Sequence, residues 1–300
     1  MTRAAKARVF TFSVARDLPR GDRRRFIWFG TYAVIVTILF IYPLARLVSY
    51  ASQTELHSHV PLIPLVSAYL LYVHRVQHRE PCQTSVLGTV VLGALSLLAL
   101  AASRLWAPTI SLNDGLALTT LSWLSALSAG GFLLLGTPLM SAAAFPFAFL
   151  LFLVPMPDAM AAWLERVSVL ASSEVTARLL SVTGTPFLRE GTVFALPGIV
   201  LEVARECSGI RSSWVLFITS LVASHLLLKS TWRRSVLVAF VIPLGIVRNG
   251  FRILVIGLLC VHVGPEMIDS PIHHQGGPLF FVLSLVPLFL FLWWLRRSEP

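Results

Sequence analysis

The chain holds eight apolar stretches, and together they decide what kind of solvent it can fold in: Trp28–Leu47, Val60–Val73, Val86–Ala102, Gly115–Leu135, Met140–Val154, Gly209–Leu228, Ser235–Phe251 and Pro278–Leu295. A helix needs roughly 17–25 apolar residues to cross the ~30 Å hydrocarbon core of a bilayer, and most of these runs have that length, two being short. The composition agrees, with 56% hydrophobic and only 13% charged residues. A soluble domain is nearer a quarter charged, so a soluble enzyme with a greasy core is excluded and lipid is the main solvent. The expected fold class is an all-α integral membrane protein of about eight transmembrane helices. Its outer face would carry one loop with an interfacial helix and a short extended flap.

The net charge of +10 raises nucleic acid as a partner, but its placement argues for topology instead. Arg3, Lys6, Arg8, Arg16, Arg20, Arg23, Arg24 and Arg25 precede the first run. Residues 1–26 are therefore expected to be a basic cytoplasmic tail, too long and too basic for a cleaved signal peptide. Alternating spans then put Arg75 and Arg79, the trio Lys229, Arg233 and Arg234, and the pair Arg296 and Arg297 on the cytoplasmic side. The stretches around Glu55–His59, Asn113–Asp114, Asp158–Glu206 and Gly264–Pro271 fall outside. No repeat or linker divides residues 27–297, which read as one membrane domain with both termini cytoplasmic.

Segment 158–206 is the main piece outside the membrane. From Ala161 to Leu180 apolar residues recur at helical spacing among Glu165, Arg166, Glu174 and Arg178, which fits an interfacial helix at headgroup level. Beyond Thr185 the character changes to short strands, with turns expected at Glu190-Gly191 and Pro197-Gly198. Such a flap would hold an extended peptide along its edge, or else simply pack on the helix ends.

Ile199–Val203 leads into Glu206-Cys207-Ser208-Gly209-Ile210-Arg211-Ser212. Three cysteines give no disulfide framework, and Cys82 and Cys260 read as small apolar residues. Cys207 is different, because it precedes the run that starts at Gly209. A helix N-terminus and the cations Arg205 and Arg211 favour a thiolate, the species that attacks a carbonyl carbon, while Glu206 opposes it. Ser208-Gly209 suits a tight turn. A cysteine at a helix start is also a common structural feature.

A helix entering from the cytoplasmic Arg233-Arg234 reaches the outer interface after roughly 17–20 residues, which puts Arg248, Asn249 and Arg252 near the outer boundary, on the side of Cys207. Arginine near a membrane segment is costly and is usually paired or functional. Snorkelling is the plain alternative for both arginines and suits Arg248 better. A fixed Arg252 guanidinium would stabilise the oxyanion of a tetrahedral intermediate, and Asn249, three residues earlier on the same face, would orient it. His273 and His274 precede the last run, again outside, where one of them would shuttle protons between thiol and leaving amine. Neither a metal-ligand cluster nor a nucleotide motif accompanies them, so no cofactor is expected. A thiol, a guanidinium and an imidazole on one leaflet point to a thiol-dependent peptidase or transpeptidase at the membrane surface.

From Thr183 to Phe281 the chain resembles the exosortase/archaeosortase family of membrane sorting enzymes. The likeness lies in Leu201-Glu202-Val203-Ala204 and the Cys207 run, in Asn249-x-x-Arg252, and in His273-x-x-x-Gly277 followed by Phe280-Phe281. Phe152–Asp158 and the His57–Pro64 region are similar too, less specifically. The resemblance implies an outward-facing cysteine transpeptidase or protease in the cell's inner membrane. Cys207 would be the nucleophile, Arg252 the transition-state stabiliser and His273 the general acid/base, with Ser208, Gly209, Arg211 and Asn249 in support. Its partners would be exported precursors ending in a short motif (typically Pro-Glu-Pro for exosortases), a hydrophobic helix and a basic cluster. The acceptor stays open between water and another nucleophile, and the histidine doublet leaves His274 as the alternate. Gly277-Pro278 stands where a glycine-aromatic pair is expected. The competing reading is a polytopic transporter or assembly factor for exported polysaccharide, in which Arg248 and Arg252 bind an anionic substrate or lipid headgroup.

Overall fold

The computed structural model describes residues 20–73, 83–203, 208–270 and 276–299, and these are overwhelmingly helical. Among the described residues, six helices are long and apolar enough to cross a membrane, and as many as eight spans result when two interrupted helix pairs are each taken as one. The all-α integral membrane fold is therefore as expected, and the chain is a multi-pass membrane protein. Its surface agrees: Leu87 is 76% and Leu290 60% exposed, as are many other large apolar side chains along the spans. A soluble monomer rarely exposes apolar surface on that scale, whereas lipid-facing helices must. The chain divides into two compact units, Met1–Pro157 and Asp158–Pro300.

In the first unit, α1 (Arg20–Leu39) and α2 (Ile41–Gln53) are parted by a 69° bend. Pro43 explains it, since proline offers no N–H to the carbonyl of Leu39 and its ring crowds that carbonyl. Two short 3-10 turns, Glu55–His57 and Val60–Leu62, lead into α3 (Ile63–Val73). The chain continues with α4 (Val86–Leu105) and α5 (Leu112–Leu134). Ser85 and Ser111 cap these helices, their hydroxyls accepting the N–H groups of Gly88 at 3.2 Å and Asp114 at 3.1 Å. Each cap satisfies one of the orphan donors of a first turn. The two helices pack through small residues, with the hydroxyls of Ser96 and Ser122 each donating to the other's carbonyl at 2.9 Å. Hydroxyl bonds of this kind hold membrane helices together where apolar burial cannot.

The single span expected over Met140–Val154 is not a single helix. The chain there runs as α6 (Thr137–Ala142), α7 (Ala144–Phe149) and a 3-10 turn, Leu150–Leu153. Pro146 is the physical reason, because it cannot donate to the carbonyl of Ala142 and the helix breaks one turn before it.

The second unit opens with α8 (Asp158–Thr183), the helix expected in the outer segment. Its buried stripe is Val169, Ser172, Ser173, Thr176 and Leu180, largely hydroxyl residues rather than large apolar ones. The flap follows as an antiparallel sheet in the order β1 (Leu188–Glu190), β2 (Val193–Leu196) and β3 (Ile199–Glu202), its two turns falling at Gly191 and Gly198 as expected. Three helices complete the unit: α9 (Ile210–Leu227), α10 (Thr231–His262) and α11 (Gly277–Arg297). The expected end of the seventh span at Phe251 is corrected, because α10 runs eleven residues further, to His262. A 32-residue helix is about 48 Å long, well beyond the ~30 Å hydrocarbon core.

Pairings along α10 show that α9 and α11 both run antiparallel to it. Gly209 lies against Arg248 and His225 against Arg234, while Phe240 meets Phe291 at 4.5 Å and Phe251 meets Phe280 at 6.3 Å. Two apolar cores result. One gathers Leu216, Leu237, Val241, Leu288 and Leu292 between α9, α10 and α11. The other gathers Val169, Leu180, Phe194, Leu201, Ile253 and Leu254 between α8, the sheet and the far part of α10. At the chain's end the Glu299 carboxylate accepts the N–H groups of Ser230 at 3.1 Å and Lys229 at 3.0 Å. These backbone donors, that of Ser230 foremost, hold its pKa below the ordinary 4.5.

Two outcomes follow from this packing. Phe194→Ala empties the centre of the second core and should cost about 3–5 kcal/mol, read as a lowered thermal midpoint in detergent. An unchanged midpoint would show that the sheet is not held by that core. Because the Glu299 pKa is depressed on folding, its stabilisation is complete above 4.5 and is lost as the pH falls through its own lower value. Glu299→Gln should therefore be less stable than the parent at neutral pH, with the gap closing in acid. A gap that stays constant with pH would refute the charge argument.

Candidate functional site

The three sequence motifs bear on one end of the group formed by α9, α10 and α11. Cys207, His273 and His274 lie outside the described residues, as do Arg205 and Glu206. The positions that follow them in the chain, Ser208 and Gly276, are described. Ser208 stands one step before the N-cap of α9, and Gly276 is the N-cap of α11. Since both helices are antiparallel to α10, these two N-termini lie at the level where α10 carries Arg248, Asn249 and Arg252.

The turn into α9 is held from two sides. Ser208 is buried, only 2% exposed, and its carbonyl accepts the hydroxyl of Ser168 on α8 at 2.7 Å. Gly209 follows with φ 67° and ψ 8°, the left-handed region. A side chain is disfavoured there by about 1–2 kcal/mol, and space forbids one as well. A Cβ on Gly209 would stand 2.8 Å from Asn249 Oδ1 and 3.1 Å from Arg248 Nη2. The Gly209 carbonyl accepts the N–H of Ser213 at 3.0 Å, the hydroxyl of Ser212 at 3.1 Å and Arg248 Nη2 at 2.9 Å. Arg248 Nη2 also donates to Ser213 Oγ at 3.1 Å.

Arg248 is thus no snorkelling side chain. It is 7% exposed and turned inward against α9, because the carbonyl and hydroxyl there satisfy a guanidinium that lipid would not. Asn249, 1% exposed, sends its amide Nδ2 to Ser172 Oγ of α8 at 3.1 Å. Next to it Gly250 admits the close approach of α8, where a Cβ would meet Val175 Cγ1 at 2.7 Å. Arg252, one turn beyond Arg248, is half-buried, and both Arg248 and Arg211 feel its positive charge. Arg211 and Arg248 therefore stand at the N-terminus of α9, an end whose dipole is itself positive, with Arg252 one turn further along α10. Such a place stabilises an anion, whether a thiolate or the oxyanion of an acyl-transfer intermediate.

The role of Arg248 and the serines of α8 escaped sequence reasoning. Ser168 and Ser172 carry no hydrophobic signal, and only their four-residue spacing on a helix face hints at a shared partner. In the first unit, the His57–Pro64 region places two further buried histidines. His57 Nδ1 lies 3.4 Å from the hydroxyl of Thr54, and in the same unit the buried Asn113 donates to the carbonyl of Met156 at 2.7 Å. Cys260 is buried and free, in keeping with its reading as a small apolar residue.

A family model described as transmembrane exosortase matches residues 51–290, and the chain belongs to that family. The family is one of cysteine proteases and transpeptidases associated with processing sorting signals. No curated protein and no solved structure matches the chain.

Gly209→Ala should lower the thermal midpoint, through about 1–2 kcal/mol of backbone strain plus the crowding of Asn249. A variant as stable as the parent would mean that the turn relaxes without the left-handed residue.

Proposed function

We propose that this member of the exosortase family is a membrane-embedded cysteine protease or transpeptidase that cleaves the C-terminal sorting signals of exported proteins through a thioester on Cys207. The observation that carries the reading is the cationic N-terminus of α9, where Arg211, Arg248 and Arg252 gather next in sequence to a cysteine. The Cys207 thiolate attacks the scissile carbonyl of a membrane-anchored precursor, forming a C–S bond and moving the carbonyl electrons onto oxygen. Arg252 supports that oxyanion, with Asn249 steadying its turn of helix. Collapse breaks the C–N bond, and His273 (or His274) gives its proton to the leaving amine. Water or an acceptor nucleophile then attacks the thioester, returns a proton to the histidine and frees the thiolate.

The substrate would carry a Pro-Glu-Pro-like motif ahead of a hydrophobic helix and a basic tail, its helix lying in lipid beside the enzyme. Charge placement supports a cytoplasmic membrane with the chemistry on its outer side. Lys229, Arg233, Arg234, Arg296 and Arg297 all gather at the end of α9, α10 and α11 opposite Arg252, which suits a cytoplasmic face with both termini inside.

Co-expression with a reporter bearing such a tail tests the reading on a gel. The parent should release the tail, and Cys207→Ala at equal membrane level should not. Arg252→Ala should slow release by at least about 100-fold, the scale of losing an oxyanion donor. Of the two histidine variants, only one should abolish it. Release that persists in Cys207→Ala would remove Cys207 as nucleophile, and release by neither form would leave the wrong tail or the transporter reading.

A further inference from the structure

Arg248 belongs to the cationic cluster but has no assigned step in the chemistry, and its position is expensive. A guanidinium more than nine-tenths buried in a spanning helix is kept only when its partners require it. One nitrogen, Nη2, is spent on the Gly209 carbonyl and Ser213 Oγ. The other, Nη1, is buried with no hydrogen-bond partner among the described residues. An arginine serving packing alone would not leave such a donor over, because burying an unpaired donor is costly. The contact point is equally specific. Gly209 is the left-handed residue that starts α9, and Gly245 on α10 lies so close that a Cβ there would stand 2.7 Å from Ser213 Oγ. The carbonyl just before, that of Ser208, is tied to α8 by Ser168. Two successive carbonyls are thus anchored to two different helices, directly after position 207.

We propose that Arg248 is a positioning residue for the thiol chemistry: its guanidinium locks the Gly209 turn, and its charge and spare Nη1 bias that turn toward holding an anion. The role rests on the reading of Cys207 as nucleophile. Its division of labour with Arg252 follows from position, Arg248 bonding the backbone of α9 and Arg252 standing one turn further along α10. Lysine cannot replace it fully, because a single ammonium lacks the fork that spans carbonyl and hydroxyl while leaving a second nitrogen over. Other charged groups on the elements meeting at this turn include Arg211 of α9, Arg252 of α10 and, next to Ser168 on α8, Glu165 and Arg166, with Arg205 and Glu206 beside Cys207 in sequence. From α8 come the hydroxyls of Ser168 and Ser172.

The test uses the full chain with Cys82→Ser and Cys260→Ala, so that Cys207 is the one thiol. Iodoacetamide alkylation is followed from roughly pH 5 to 9, beside processing of the reporter. Arg248→Gln should raise the midpoint of alkylation by about one unit and slow processing by about tenfold or more. Arg248→Lys should bring the midpoint back toward the parent while processing stays slow. The proposal is overturned if Arg248→Gln, inserted at the parental level, alkylates with the parental profile and processes within about twofold of it. Should the Gln variant fail to accumulate, the Lys variant decides, and parental processing by it would equally overturn the lock. Persistent processing by Cys207→Ala would sink the nucleophile reading alone, since a shifted alkylation profile would still report the action of Arg248 on the turn.

Discussion

A guanidinium in a membrane helix must find oxygen atoms within the protein, and the second unit is arranged around that requirement. Arg248 finds them at the first turn of α9, which brings α9 and α10 together through Gly245 and Ser213 and forces a residue without a side chain at position 209. Asn249 and Gly250 make the matching demands on α8, met by the hydroxyls of Ser172 and Thr176. Lipid supplies no hydrogen bonds and no hydrophobic drive between helices, so these short polar contacts do the work that apolar burial does in water. The apolar cores on either side complete the packing, while the polar contacts fix the level at which the helices meet.

That level is also where positive charge accumulates. Arg211, Arg248 and Arg252 come from two helices, and the dipole of α9 adds to them. Like charges repel, so the cluster favours a negative group beside it. The thiol chemistry assigned to the family has two such species, the attacking thiolate and the oxyanion that follows it.

Much of the architecture was legible because hydropathy is a strong signal over twenty residues. The sheet was legible from Gly191 and Gly198, which punctuate short apolar strands at turn spacing. The Met140–Val154 run misled because Pro146 sits inside an otherwise uninterrupted apolar stretch, and hydropathy does not weigh a missing N–H. The end of α10 misled for the opposite reason. Arg248 and Arg252 look like the boundary of a span, yet an arginine whose nitrogens find acceptors need not end a helix, and Ile253–His262 simply continues. Within the candidate site, Arg252 and Asn249 were readable as residue types out of place in an apolar run. Ser168 and Ser172 were not, because a hydroxyl on a helix tells nothing of its partner until the neighbouring helix is in position.

The length of α10 has a further meaning. Some 18 Å of it is left over once the ~30 Å of hydrocarbon is crossed, and Arg252 stands about 32 Å from its first residue. The surplus is not bare, since α8 and the sheet clothe it with Val169, Leu180, Phe194 and Leu201. The helix is therefore a mast with a bulwark along its upper part, and the arginines stand at the waterline. Under the function proposed above, a peptide bond emerging from lipid at that height would meet the cations as it first reaches water, with a protein wall at its back and no need to be hauled clear of the membrane.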